Sequence, residues 1–314
     1  MTSSTVFALA FASAFASASS PVTLPLLKTF PVQVASPSAS PFLLSAISEL
    51  QPESGAEPEF STTIATRLTR QSPQSGGQLY LQRLAALQVG KLYSRLPSDS
   101  FGEVWKEAVL QPTYQQWRKL LALESKAVSR RKNNQDLAIL LGDSLSLWFP
   151  CDRLKPSQVW LNQGISGDTT WNILARLPDS ANTRPSEIYL MAGINDLKMG
   201  ASDAEIVWNM QRIIAKLKAM HPNAKIIVES ILPTRSPRIP NDRIAGINRQ
   251  LNAIAQQSGA TFLDLFSQFV DQDGQILPDY TTDGIHLSAQ GYAAWQSVFQ
   301  ESSSKVASAS FSKQ

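Results

Sequence analysis

The chain is nearly empty of the two residues that most thiol and metal chemistry uses: its 314 residues include one cysteine and two histidines. Cys151 alone cannot form an intrachain disulfide, so the redox compartment is left open. Packing explains most isolated cysteines, and Cys151 is read that way rather than as a nucleophile. A bacterial lipoprotein needs a cysteine near its N-terminus, and none is there. No His-Glu-x-x-His motif occurs, and His221 and His286 stand far apart, so no metal and no cofactor are expected. The Gly-x-Ser-x-Gly elbow and the phosphate-cradling Gly-x-x-x-x-Gly-Lys are missing as well. Charged residues make up only 17% against 43% hydrophobic, which excludes a disordered acidic chain. The net charge of +3 comes without zinc-ligand clusters, basic repeats or RNP-like aromatics, so nucleic acid is not an expected partner. Arg130-Arg131-Lys132 reads as a solvated helix end.

Residues 1–75 are rich in Ser, Ala and Pro, with Pro21, Pro25, Pro31, Pro37 and Pro41 breaking any long helix; they read as disordered or as a processed leader. Val6 to Phe15 is apolar and Ala16-Ser17-Ala18 resembles a cleavage site, yet no Lys or Arg precedes them. Both a cytoplasmic and an exported location therefore stay open, and the apolar run is too short for an integral membrane segment. Residues 76–133 turn helical, with Tyr114, Trp117, Leu121 and Val128 on one face, and predict a helical preface packed on the larger C-terminal part of the chain. Residues 134–302 alternate strands and helices, and 303–314 read as a disordered tail.

Apolar runs at 137–141, 159–161, 188–192, 226–228 and 261–265 predict five buried strands. Between them, Ser202 and Glu205 form a capping-box pattern ahead of Ile206, Met210 and Ile213, and Asn241 is placed to cap the helix carrying Ile244, Ile247 and Leu251. A last helix presents Tyr292, Trp295 and Phe299. Such βαβ alternation predicts an α/β chain folded as a three-layer α/β/α sandwich around a parallel five-stranded sheet, with function at the C-terminal strand ends.

The chemistry-bearing residues fall at those ends. The first strand leads into Gly142-Asp143-Ser144, the second into residues 162–168, and the third into Gly193-Ile194-Asn195-Asp196. A hydroxyl, glycine amides and a side-chain amide at one rim are what acyl transfer needs: a nucleophile and donors for the oxygen that becomes negative. Serine also needs a base. His221, before Pro222, reads as an exposed helix-end residue, whereas His286 comes three positions after Asp283 with Gly284 between. A turn there can set the carboxylate against one ring nitrogen while the other faces Ser144. Separately, Asp168 is expected to cap a helix, Asp196 to serve structure, and Trp148 and Phe149 to pack rather than bind.

Taken in order, Gly-Asp-Ser-Leu-Ser at 142–146, Gly-Ile-Ser-Gly-Asp-Thr-Thr at 164–170, Gly-Ile-Asn-Asp at 193–196 and Asp-Gly-Ile-His-Leu at 283–287 resemble the four blocks of the SGNH (GDSL) hydrolase family. The resemblance spans about residues 136–302 and leans toward the lysophospholipase and platelet-activating-factor acetylhydrolase-like branch. It implies a flavodoxin-like fold, a serine ester hydrolase with Ser144 as nucleophile, His286 as base and Asp283 as its orienting acid. It also implies an oxyanion hole from the Ser144 amide, the Gly167 amide and the Asn195 side chain, with Gly164 competing for the second donor. The substrate would be a small-molecule, lipid or glycan ester. An O-acyltransferase acting on a glycan, or a non-catalytic binding module, are the alternative readings. Acyl length, leaving group and oligomeric state are not legible.

Overall fold

The computed structural model describes residues 71–131, 136–150, 154 and 157–299. The expected leader before residue 71, Cys151, Lys132 and the expected tail at 303–314 lie outside the described residues.

Five parallel strands form one sheet: β1 (Leu137–Gly142), β2 (Val159–Gly164), β3 (Glu187–Met191), β4 (Lys225–Glu229) and β5 (Thr261–Leu263). Their order is β2-β1-β3-β4-β5, so the chain reverses direction of travel between β2 and β3, and a crevice opens at the C-terminal ends of β1 and β3. The register pairs Gly142 with both Gly164 and Met191, which brings three strand ends level with one another.

Alternation along β1 sorts the two faces. Leu137, Ile139 and Leu141 join a core with Ile188, Leu190, Ile226 and Val228. That core is covered by α5 (Thr170–Arg176), α7 (Asp203–Met220) and α8 (Asn241–Gln257). Ala138 and Leu140 face the other way, with Tyr189 and Ile227, against Phe149, Phe269, Tyr292, Trp295 and Phe299. Phe269 ends α9 (Phe266–Phe269), and the last three of these sit on α10, which covers residues 289–299. Their rings interlock: Phe149 meets Trp295 edge-on at 5.0 Å and stacks on Phe299 at 5.3 Å.

Segment 76–133 is not one continuous helical run. It divides into α1 (Gly76–Gln88), α2 (Gly102–Trp105) and α3 (Tyr114–Ser129). Gly90 with φ +72°, Pro97 and Pro112 fall in the gaps. Ser75 caps α1, and Thr113 with Gln116 forms a full capping box on α3. Trp117, Leu120 and Leu121 of α3 then pack with Leu79 of α1 onto Leu147 and Ile165 of the sheet domain.

Polar contacts bind this layer to the open edge of β2, whose outer carbonyls have no strand neighbour. Ser94 donates to the Trp160 carbonyl at 2.6 Å, and the Arg83 guanidinium donates to the Asn162 carbonyl at 2.8 Å. Arg83 also pairs with Glu124 at 2.5 Å, with both side chains almost fully buried, and lies over the Tyr93 ring. A buried pair needs hydrogen bonds to offset the loss of hydration, and here Arg83 Nε and Nη2 both bond Glu124 while Nη2 also reaches the Asn162 carbonyl.

Local expectations fared unevenly. Ser202 accepts from the Glu205 N–H, but the reciprocal arm of the box is not formed among the described residues. Asn241 does not cap α8; Pro240 holds that position, while the Asn241 amide bonds both the N–H and the carbonyl of Thr234. Bonding a loop seven residues upstream uses the side-chain oxygen that capping would require. His221 is buried at 5% exposure rather than exposed. Burial pushes its pKa down, against a bond with the Thr183 backbone. Arg130 does end α3 in solvent.

One buried acid gives a stability test. Glu229, at the end of β4, accepts from Trp295 Nε1 at 2.7 Å, and burial raises its pKa to about 8 despite that bond. From about pH 4.5 to 8 the folded chain therefore holds a proton that the unfolded chain releases, so stability falls as pH rises through this window. Glu229→Gln, neutral at every pH, should melt increasingly above the parent between pH 5 and 8. A constant difference across that range would place the titration elsewhere.

Candidate active site

Ser144 opens α4 (Ser144–Leu147) directly after β1. The turn is tight because its neighbours are glycines: a Cβ on Gly142 would lie 2.3 Å from Ser146 Oγ, and one on Gly164 would lie 2.3 Å from the Leu147 nitrogen. Asp143 is the N-cap, its Oδ1 accepting from the Leu145 N–H at 2.9 Å. The Asn162 amide donates to the Ser146 carbonyl at 2.6 Å and accepts from the Gly164 N–H at 2.9 Å, so β2 holds the serine turn from beneath.

A second buried group joins the loops. Arg176, at the end of α5, donates to the carbonyls of Gly142 at 3.0 Å and Gln163 at 2.7 Å and pairs with Asp168 at 2.6 Å. Asp168 is therefore not the helix cap; Thr169 takes that place in a capping box with Asn172, and the Asp168 carboxylate turns to the guanidinium. Burial raises the Asp168 pKa while Arg176 opposes it. Asp196 is structural, accepting from the Thr170 N–H at 2.9 Å and the Thr170 hydroxyl at 2.5 Å.

Asn195 lies in the first turn of α6 (Ile194–Lys198), after Gly193, whose φ of +125° would strain any side chain. Its amide donates to the Asp168 carbonyl at 3.0 Å and to Asp143 Oδ2 at 3.3 Å. The β1, β2 and β3 ends thus meet through Asp143, Asp168 and Asn195. Burial pushes the Asp143 carboxyl up to about 7; the Leu145 N–H and His286 pull it back, and Asp168 and Asp196 push it further.

Gly167 has φ +84° and open space where a Cβ would stand. Neither its N–H nor that of Ser144 donates a hydrogen bond within the described residues. The Gly164 N–H, by contrast, is occupied by Asn162 Oδ1.

Asp283 and His286 share one turn, whose Gly284 carbonyl accepts from the Arg235 N–H at 2.8 Å. Asp283 Oδ1 accepts from the backbone N–H groups of Ile285 and His286, and Oδ2 lies 2.7 Å from His286 Nδ1. Burial works to raise the Asp283 pKa, but the His286 ring and these N–H groups outweigh it and bring it to about 2. The His286 carbonyl is held by the Thr281 hydroxyl at 2.8 Å and the Thr282 N–H at 3.0 Å. Six residues on, the Tyr292 hydroxyl donates to the Leu145 carbonyl at 3.1 Å, tying the histidine segment to the serine helix. Phe149 and Trp148 both pack against the core, as expected, and both also line a cleft with His286.

Strands in this order, with these loops at their C-terminal ends, define a flavodoxin-like α/β/α fold. Residues 132–294 match the model of the GDSL-like Lipase/Acylhydrolase family, and the chain belongs to that family of ester-cleaving acylhydrolases. The alpha2 subunit of human platelet-activating factor acetylhydrolase IB is 28% identical over 175 residues, covering 52% of this chain and 73% of the relative. Its chicken counterpart is 27% identical over 186 residues, covering 55% and 78%. The crystal structure of a GDSL-like lipase from Bacteroides thetaiotaomicron superposes with a TM-score of 0.53 at 22% identity, over 60% of this chain and 98% of that one, and shares its fold. No helix of the described residues is long and apolar enough to cross a membrane.

Asn162 and Arg176 are the positioning residues that motif reading passed over. Removing the Asn162 amide leaves the buried Gly164 N–H unpaired and takes from the Ser146 carbonyl its 2.6 Å donor, with the Phe149 N–H at 3.2 Å still reaching it, at about 1–3 kcal/mol. Asn162→Ala should lower the unfolding free energy by that amount in urea titration. Unchanged stability would mean that the serine turn is held by other contacts.

Proposed function

We propose that the chain is a serine ester hydrolase working through an acyl-enzyme on Ser144, with His286 as base and Asp283 as its orienting acid. The observation that carries this reading is the 2.7 Å pairing of Asp283 with His286 Nδ1, on a segment that Tyr292 ties to the backbone beside Ser144. With Nδ1 engaged by the carboxylate, Nε2 is the nitrogen left to take a proton from the serine.

In the forward step Ser144 Oγ attacks the ester carbonyl carbon and its proton passes to His286 Nε2. The carbonyl oxygen becomes negative and is met by the Ser144 and Gly167 N–H groups and by the Asn195 amide. Gly167 is favoured over Gly164 because the Gly164 N–H is held by Asn162 Oδ1, whereas the Gly167 N–H meets no acceptor among the described residues. The Asp168 carbonyl fixes the Asn195 amide, and the longer 3.3 Å contact with Asp143 is the one that an oxyanion would replace. Collapse breaks the ester C–O bond, and His286 returns the proton to the leaving alcohol. Water then repeats the sequence on the acyl-enzyme and frees the acid. Relatives named as acetylhydrolases support a short acyl group, with acetyl as the first candidate.

Ser144→Ala and His286→Ala should each lower the turnover of 4-nitrophenyl acetate by roughly three orders of magnitude or more in a chain that still folds. Near-parental rates in either variant would remove that residue from the mechanism. Asn195→Ala should cost about a hundredfold to a thousandfold in kcat; a loss below fivefold would take its amide out of the oxyanion hole.

A further inference from the structure

Next to His286 lies a cleft of about 690 Å³ with two walls of different origin. One wall is the hydrolase domain, through Leu147, Trp148, Thr282 and Leu287. The other is the N-terminal helical layer, through Gln74, Leu79, Tyr93 and Leu96 among others. Ser144, Gly167 and Asn195 do not line it. The volume is that of a site for a whole small molecule, and its second wall lies outside the stretch that matches the family.

We propose that this cleft is the leaving-group subsite and that it takes an uncharged, hydroxyl-rich alcohol such as a sugar or polyol, so that the N-terminal layer sets which alcohol is released. The inference rests on the serine-hydrolase reading above. Its position comes from the chemistry: the leaving oxygen must collect its proton from His286, whereas the carbonyl oxygen points to the Ser144, Gly167 and Asn195 donors. A cavity walled by the histidine and not by those donors therefore receives the group attached to the leaving oxygen, not the acyl group.

The kind of alcohol is set by the lining. Amides and hydroxyls (Gln74, Ser98, Thr282) share the lining with Trp148 and with leucines such as Leu79 and Leu96, a mixture that offers hydrogen-bond partners to hydroxyls and apolar surface to C–H groups. Among the described lining residues none is Lys, Arg, Asp or Glu, so a phosphate finds no fixed counter-charge among them. The wall is also rigid enough to select, since Arg83 and Ser94 bond the layer to the β2 edge.

The test uses the full chain and three variants: Leu96→Trp, which fills the cleft from a half-buried position, Gln74→Ala at its exposed rim, and Ser144→Ala. Substrates share an acetyl group and differ in alcohol: vinyl acetate, an acetylated methyl glycoside, and an acetyl ester bearing a phosphocholine headgroup. A second series holds ethanol constant and lengthens the acyl chain. The parent should favour the glycoside over the phosphocholine ester in kcat/KM. Leu96→Trp should lower kcat/KM for the glycoside at least tenfold, and Gln74→Ala about threefold, mostly through KM. Both should leave vinyl acetate within twofold and the acyl-length profile unmoved. A shift in the acyl-length profile would make the cleft the acyl site, and equal effects on all alcohols or on none would remove it from the substrate path; either result overturns the proposal. A parental preference for phosphocholine would overturn its uncharged character. If Leu96→Trp does not fold, Gln74→Ala decides alone by the same criteria. Failure of the serine mechanism reads differently: Ser144→Ala would then match the parent on vinyl acetate.

Discussion

A single buried guanidinium holds the candidate site together. Arg176 bonds the carbonyl that ends β1, the carbonyl one residue before the end of β2, and the carboxylate of Asp168. Parallel strands end in loops with different onward paths, and nothing in the ladder itself keeps those loops in register once the strands stop. A charge that satisfies three acceptors at once, in a setting where leaving any of them unpaired is costly, fixes their separation. The Asp168 carbonyl positions the Asn195 amide in turn, so the third strand end is referenced to the same point.

Around that point the burial of polar groups is a consequence of convergence. Asp143, Asp168 and Asp196 come close enough for their charges to oppose one another. Asp143 accordingly holds its proton up to about pH 7, since burial and two neighbouring carboxylates disfavour its ionised form. The Asp283–His286 turn is different in kind. Its carboxylate contacts are short-range, all within three residues, and it is half-open to solvent. One half of the constellation is thus rigid and dry, the other local and accessible. This division suits the roles proposed for them, a base that exchanges protons with solvent and a nucleophile held in a fixed turn.

Legibility in the sequence divides along the same line. The five strands, their parallel arrangement and the helices facing them could be read from apolar runs and alternation, because burial on both faces marks β1 to β4; β5, at the sheet edge, is exposed or half-buried rather than buried as expected. The Asp283 to His286 turn was legible for the same reason that it is local. Residues whose partners lie far away in sequence were not. Asp168 and Asn241 both stand where a helix cap is expected and both are drawn off, one by Arg176 and the other by Thr234. Arg176 and Asn162 look like ordinary polar residues until the fold sets their acceptors around them. The helical layer was legible as helical, but its attachment to the β2 edge through Arg83 and Ser94, and its place beside His286, depend on contacts across 66 residues or more.

The mechanism requires Ser144 to be an activated nucleophile in the folded chain. Intact-mass spectrometry with peptide mapping after exposure to a fluorophosphonate measures this directly, since phosphonylation requires a serine whose proton is being removed. One adduct per chain, mapped to Ser144, is the predicted result. No adduct on a folded chain, or an adduct mapped to another residue, would contradict it.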